Sequence, residues 1–171
     1  MHARPAQLSD ALEIARIYNL GIADRTATFE TRPRTASDIN QWFDGVHPLV
    51  VVEEEGVVAF AATFQYRPRE CYRGIAEASV YVDRTCRGRG AGSMALDALI
   101  TSAASAGFWK LVSRIFVENA ASRRLVSRHG FHEVGIYRKH GQLDGVWRDV
   151  VIVERLLQPP SDIEAHQGMG F

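Results

Sequence analysis

The sequence predicts one mixed α+β domain, and three observations carry that expectation. The apolar segments run in the order β-α-α-β-β-β-α-β-α-β-β, which breaks the simple alternation of a doubly wound α/β fold. Two β-branched runs, 49–53 and 57–64, flank Glu54-Glu55-Gly56, a hairpin signature that makes part of the sheet antiparallel. The chain has 171 residues, 46% hydrophobic and 23% charged, enough for a single core and ordinary for a globular protein.

The elements follow in order. Residues 3–5 read as a short first strand. Ser9-Asp10 caps a helix over about 10–20, with Leu12, Ile14, Ala15, Ile17 and Tyr18 as its apolar positions. Thr35-Ala36-Ser37-Asp38 opens a second, short helix carrying Ile39, Trp42 and Phe43. After the hairpin, a loop rich in Arg and Pro spans 65–74, and residues 75–82 form a strand that runs into glycines. Leu96, Leu99, Ile100 and Ala103 recur at helical spacing within 92–106. Leu111 to Val117 is strand-like, and Asn119 to His129 is a helix stopped by Gly130. Two more strands span about 131–138 and 148–156. Pro159-Pro160 closes a domain of residues 1–158, leaving 159–171 as a flexible tail.

Composition narrows the function. A formal net charge of zero argues against a dedicated nucleic-acid partner. No run of 18 apolar residues predicts a membrane span, and the first residues lack the apolar region of a signal peptide. Two cysteines, Cys71 and Cys86, do not make a disulfide framework, so a cytoplasmic enzyme is the expectation. Cys86 has no evident activating base and is not read as a nucleophile.

The most informative stretch is Arg87-Gly88-Arg89-Gly90-Ala91-Gly92, between the predicted strand and the helix after it. Glycines allow close backbone approach and positive φ, and the first amides of a helix lack internal partners. Such a junction holds phosphate. The loop has no Lys-Ser/Thr after its last glycine, and Gly88, Gly90 and Gly92 do not fit G-x-G-x-x-G. Besides a plain glycine-rich turn, R-x-x-G-x-G from Arg87 resembles the pyrophosphate loop of the GCN5-related N-acetyltransferases.

The resemblance extends over residues 3 to about 157. Ile17-Tyr18-Asn19, Thr26-Ala27-Thr28-Phe29-Glu30, Trp42-Phe43, Tyr66-Arg67-Pro68, the run Tyr72 to Val82, Asn119-Ala120-Ala121-Ser122, Gly130-Phe131 and Trp147-Arg148-Asp149-Val150 are similar to the phosphinothricin N-acetyltransferase branch. That branch acetylates the α-amine of phosphinothricin, methionine sulfoximine or sulfone, or arsinothricin, conferring resistance. The implied fold is a splayed, mostly antiparallel sheet flanked by helices. The implied cosubstrate is acetyl-CoA, with no metal. By resemblance, the backbone of Val80, Tyr81 and Val82 pairs with the pantetheine arm. The amides of Gly88, Arg89, Gly90, Ala91, Gly92 and Ser93 take the pyrophosphate, aided by the Arg87 and Arg89 side chains. Asn119, which also reads as a helix N-cap, and Ser122 contact the coenzyme.

Acetyl transfer to an amine needs a base, a polarised thioester carbonyl and an outlet for the thiolate. The resemblance assigns Glu77 as base. Its neighbours Ile75, Ala76 and Ala78 predict a desolvated carboxyl with a raised pKa. The alternative is a strand glutamate that faces solvent or pairs with an arginine. A backbone amide near Val80 would polarise the carbonyl. Many acetyltransferases place a Tyr where this chain has Val126, so the acid is unassigned, and His129 is expected on another face. Arg67, Arg69, Arg73, Phe29, Glu77 and Ser79 are the implied substrate-binding set, and Trp147 and Tyr137 are candidate pocket walls. Relatives of this kind imply a homodimer. Two other readings remain: a protein N-terminal or ribosomal-protein acetyltransferase, and a non-catalytic acyl-CoA-binding module.

Overall fold

The protein is seen in a computed structural model that describes residues 1–157. The predicted tail, and residue 158 at the predicted domain end, lie outside the described residues. Seven strands form one sheet: β1 (His2–Pro5), β2 (Leu49–Glu53), β3 (Val57–Gln65), β4 (Ile75–Val82), β5 (Lys110–Phe116), β6 (His132–Leu143) and β7 (Val146–Leu156). Their order is β1-β2-β3-β4-β5-β7-β6. Every neighbouring pair is antiparallel except β4 with β5. Among the described residues, four α-helices cover the sheet: α1 (Ala11–Asp24), α2 (Ala36–Asn40), α3 (Ala91–Ser105) and α4 (Ala120–Arg128). No described helix is long and apolar enough to cross a membrane.

Strand alternation explains the layering. Val50 and Val52 of β2 and Ala59 and Ala61 of β3 point to one face, under Leu96, Leu99 and Ala103 of α3. Val51, Phe60 and Ala62 point to the other, against Ile14, Ile17 and Tyr18 of α1 and Ile39 of α2. Both faces of the central strands are covered, so β2 and β3 read as unbroken apolar runs. Phe60 is fully buried, and its removal would cost about 3–5 kcal/mol.

Local signals held with shifts at the ends. Thr35 and Asp38 form the expected capping box of α2. Asp10 stands at the N-cap of α1 but makes no capping bond. Its carboxylate instead accepts from the Gln7 amide at 2.8 Å and from the Arg4 guanidinium at 2.7 and 2.9 Å. The last two strands are longer than the sequence predicts. Their extra turns are polar and exposed around Lys139 and His140, so apolar alternation does not report them. They join at Asp144-Gly145, with φ of 49° and 77°, a two-residue hairpin turn of the Asp-Gly kind.

The feature that positions the site is the parallel pair. β4 and β5 are joined only at Ile75↔Lys110, Ala76↔Leu111 and Glu77↔Val112. They start pinned together: the Trp109 amide donates to the Gly74 carbonyl at 2.9 Å, and the Trp109 ring lies where a Cβ on Gly74 would stand. Beyond Glu77 the strands part, and residues 78–82 of β4 face a gap.

Candidate active site

The gap opens into three adjoining spaces. A cavity of about 450 Å³ lies on the α1 face. A crevice of about 60 Å³ lies between the parted strands. A groove of about 470 Å³ runs past the glycine loop to α4. Cavity and crevice share Ser79, Tyr81, Ser113 and Arg114. Crevice and groove share Val80, Tyr81, Asn119 and Ser122. One passage therefore leads from the α3 N-terminus to the cavity on the α1 face along β4.

The groove is built as the sequence predicts at its backbone. Gly88 and Gly90 have φ of +75° and +90°, in the left-handed region that favours glycine. A Cβ on Gly92 would stand 3.2 Å from Val82, so the helix start presses on the strand. The free amides of the first α3 turn face the groove. Val80, Val82, Arg87, Ser93, Asn119 and Ser122 line it. The Ala91 side chain is buried in the core, leaving only its backbone. Asn119 caps α4 by accepting from the Ser122 amide at 3.1 Å, and its Nδ2 donates to the Thr26 carbonyl at 3.1 Å.

The basic side chains differ from the expectation. Arg89 turns out of the groove and pairs with both oxygens of Glu54 at 3.0 Å. Arg87 lines the groove but donates to Asp24 at 2.6 Å, and Arg84 pairs with the same carboxylate. Burial pushes the Asp24 carboxyl up, yet the Arg84 and Arg87 guanidiniums hold it below the usual range. The cations that sequence reasoning missed are Arg124 and Arg128 of α4, both lining the groove. With Ala121 and Leu125 they form an i, i+3, i+4, i+7 stripe, the spacing that marks one helix face.

His129 faces away from the crevice, as expected. Its Nε2 lies 2.6 Å from Ser93 Oγ and its Nδ1 2.7 Å from Asp97 Oδ1, which ties the end of α4 to the start of α3. Val126 is buried and lines the crevice, where it offers no proton.

Aromatic rings wall the cavity on the α1 face. Tyr81 stacks on Phe60 at 5.3 Å and meets Tyr18 edge-on at 4.9 Å. Burial pushes the Tyr81 phenol far up, with Tyr18 adding to it, and burial also raises Tyr18; both stay protonated donors. Phe29 packs edge-on against Phe116 at 4.8 Å. Phe29, Glu77 and Ser79 all line this cavity. Trp147 and Tyr137 do not: each is 53% exposed on the β6–β7 arm, which contributes His140 and Val150 instead.

The surroundings of Glu77 correct the expectation. Alternation sends Ala76 and Ala78 into the core beneath α3, so the apolar neighbours in sequence are on the opposite face. Glu77 faces the cavity and is paired. Arg114 of β5 donates from Nη2 to both Glu77 oxygens at 2.6 and 2.9 Å, and from Nε to Oε1 at 3.0 Å. The carboxylate sits in an ion pair at the mouth of the splay, facing the cavity that the aromatic rings wall. The predicted anion clamp is also displaced. Arg67, Arg69 and Arg73 are exposed and none lines the cavity. A short 3₁₀ turn at Glu70–Tyr72 sets Arg73 against Glu70 at 2.9 Å, and Arg67 lies over the Tyr66 ring.

The chain is similar to known proteins. The family model for the acetyltransferase (GNAT) family matches residues 14–131. A Pseudomonas aeruginosa protein named L-methionine sulfoximine/L-methionine sulfone acetyltransferase is 35% identical over 162 residues, covering 91% of this chain and 94% of its own. The structure of a GNAT superfamily phosphinothricin acetyltransferase from Sinorhizobium meliloti, in complex with acetyl-CoA, superposes with a TM-score of 0.86 at 26% identity, covering 94% of this chain and 90% of that one. A ribosomal-protein-alanine N-acetyltransferase from Brucella melitensis gives 0.87 at 30% identity, covering 91% and 99%.

Proposed function

The chain belongs to the acetyltransferase (GNAT) family and is an acetyl-transferring enzyme, and we propose that its acceptor is the α-amino group of a small anionic amino acid analogue of the phosphinothricin, arsinothricin or methionine sulfoximine type. One observation carries the reading. The parted edge of β4 and the Glu77 carboxylate lie along one continuous passage, with Glu77 at the cavity end.

In this reading acetyl-CoA is the cosubstrate. The free edge of Val80, Tyr81 and Val82 pairs with the pantetheine amides as an added strand would. The loop amides, with Arg87, Arg124 and Arg128, hold the phosphates. Glu77 takes the ammonium proton, directly or through a water, and the amine then attacks the acetyl carbon. A β4 amide near Val80 stabilises the charge that develops on the carbonyl oxygen. The C–N bond forms as the C–S bond breaks, the second proton on the nitrogen passes to solvent, and sulfur leaves with the electron pair. Val126 supplies no acid. A thiol with a pKa near ~8.5, by analogy with cysteine, leaves as a tolerable anion that solvent then protonates.

The relatives' names support the substrate class, and N-acetylation removes the charge that makes such an analogue an amino acid mimic, which supports a role in resistance. Free Cys71 and Cys86 fit a reducing compartment, consistent with a cytoplasmic enzyme. Ile136, Tyr137, Val146 and Trp147 lie half-exposed on the β6–β7 arm, which supports a homodimer. Thiol release from acetyl-CoA, measured with phosphinothricin, arsinothricin, methionine sulfoximine and a peptide N-terminus, tests the reading. Release with an amino acid analogue supports it; release with the peptide alone contradicts it.

A further inference from the structure

We infer that Arg114 reads the α-carboxylate of the acceptor, and that the carboxylate releases Glu77 by taking its place on the guanidinium. The inference rests on the acetyl-transfer reading above. Arg114 is the sole arginine among the described residues lining the acceptor cavity, and it also lines the crevice. It therefore stands on the seam where the amine must meet the thioester. Its position two residues past the last β4–β5 pair puts its base on the strand that has swung away. At 48% side-chain exposure it has room to move, whereas Glu77, at 26%, is the more fixed partner.

The pair as it stands holds Glu77 out of use. Three guanidinium hydrogen bonds cover both carboxylate oxygens, so the lone pairs that would receive an ammonium proton are already engaged. An α-amino acid presents the complementary charges side by side: an ammonium for Glu77 and, on the same carbon, a carboxylate for Arg114. Exchanging Glu77 for the substrate carboxylate keeps Arg114 paired in its bidentate geometry. It leaves Glu77 with the ammonium as its nearest cation. An amine that lacks the carboxylate cannot make that exchange, so it meets an occupied base. Other cavity charges do not offer the same service: Glu30 is paired with Arg34 at 2.5 Å, and Arg34 does not line the cavity.

The test compares L-methionine sulfone with 3-(methylsulfonyl)propylamine, its decarboxylated counterpart, in the unsubstituted enzyme, Arg114→Gln and Arg114→Lys. The unsubstituted enzyme favours the acid in kcat/KM by on the order of 100-fold or more. In Arg114→Gln the two substrates move in opposite directions. The acid falls on the order of 100-fold, while the amine rises because Glu77 is no longer held. Arg114→Lys recovers part of the preference for the acid, since it keeps the charge without the planar fork. A variant that merely loosened the site would lower both. Equal losses for both substrates, or an undiminished preference in Arg114→Gln, overturn the inference while acetylation of the sulfone by the unsubstituted enzyme stands. Acetylation of neither the sulfone nor the phosphinothricin-type analogues by the unsubstituted enzyme overturns the functional reading and this inference together.

Discussion

Ser93 Oγ and His129 Nε2 lie 2.6 Å apart, and the far nitrogen of the same ring lies 2.7 Å from Asp97. The chain from Asp97 through His129 to Ser93 braces the first turn of α3 against the end of α4. That turn carries the amides proposed to hold the pyrophosphate. His129→Ala is expected to raise KM for acetyl-CoA by roughly 3–10-fold and to lower stability by about 0.5–1.5 kcal/mol, since it removes the Ser93 hydrogen bond while the exposed Asp97 returns to water. Activity at saturating acetyl-CoA should change little. Initial rates against acetyl-CoA, with a denaturant titration alongside, check both parts.

The groove makes a prediction about its cations. Arg124→Ala and Arg128→Ala should each weaken coenzyme A binding about 5–10-fold, because both side chains line the groove. Arg89→Ala should leave it within about 2-fold, because Arg89 is committed to Glu54 on the surface. Isothermal titration at two salt concentrations separates them: the α4 variants should show the weaker salt dependence.

Asp83 links the end of β4 to the loop. Its carboxylate accepts from the Thr85 amide at 2.9 Å and the Thr85 hydroxyl at 2.7 Å, and it pairs with Arg16. The Arg16 hydrogen bond, then the Thr85 amide, hold its pKa down to about 2. A depressed carboxyl stabilises the fold above its unfolded pKa, near ~3.9, and that contribution fades as pH falls toward 2. Asp83→Asn is expected to lose about 1–2 kcal/mol at pH 7, with the difference from the unsubstituted protein shrinking between about pH 4 and pH 2. Denaturant unfolding across that range measures it.

Most of the scaffold was legible in the sequence because its signals are local. The β2–β3 runs, the 75–82 strand, the Thr35 capping box and the positive-φ glycines each follow from a few adjacent residues. The side chains of the site were less legible. Arg114 is an exposed charged residue within β5 and reads as an ordinary solvent-side residue; only the parting of β4 and β5 brings it to Glu77. Arg124 and Arg128 read as a solvated helix face until the loop is placed opposite them. Arg67, Arg69 and Arg73 formed a conspicuous basic cluster, but a 3₁₀ turn and the Glu70 pair keep them on the surface. The Asp144-Gly145 turn carried a local signal for the longer β6–β7 arm, whereas the exposed polar residues Arg138, Lys139, His140 and Gln142 carried none.

The central claim is that Glu77 takes the proton from the acceptor amine. The most direct measurement is the pH–rate profile of Glu77→Gln against the unsubstituted enzyme, with L-methionine sulfone as acceptor and acetyl-CoA saturating. The account predicts a fall in kcat of roughly 10²–10⁴-fold near neutral pH, partly restored at high pH where the free amine is supplied by solvent, and an unchanged affinity for acetyl-CoA. An unchanged kcat with the same pH profile would contradict it.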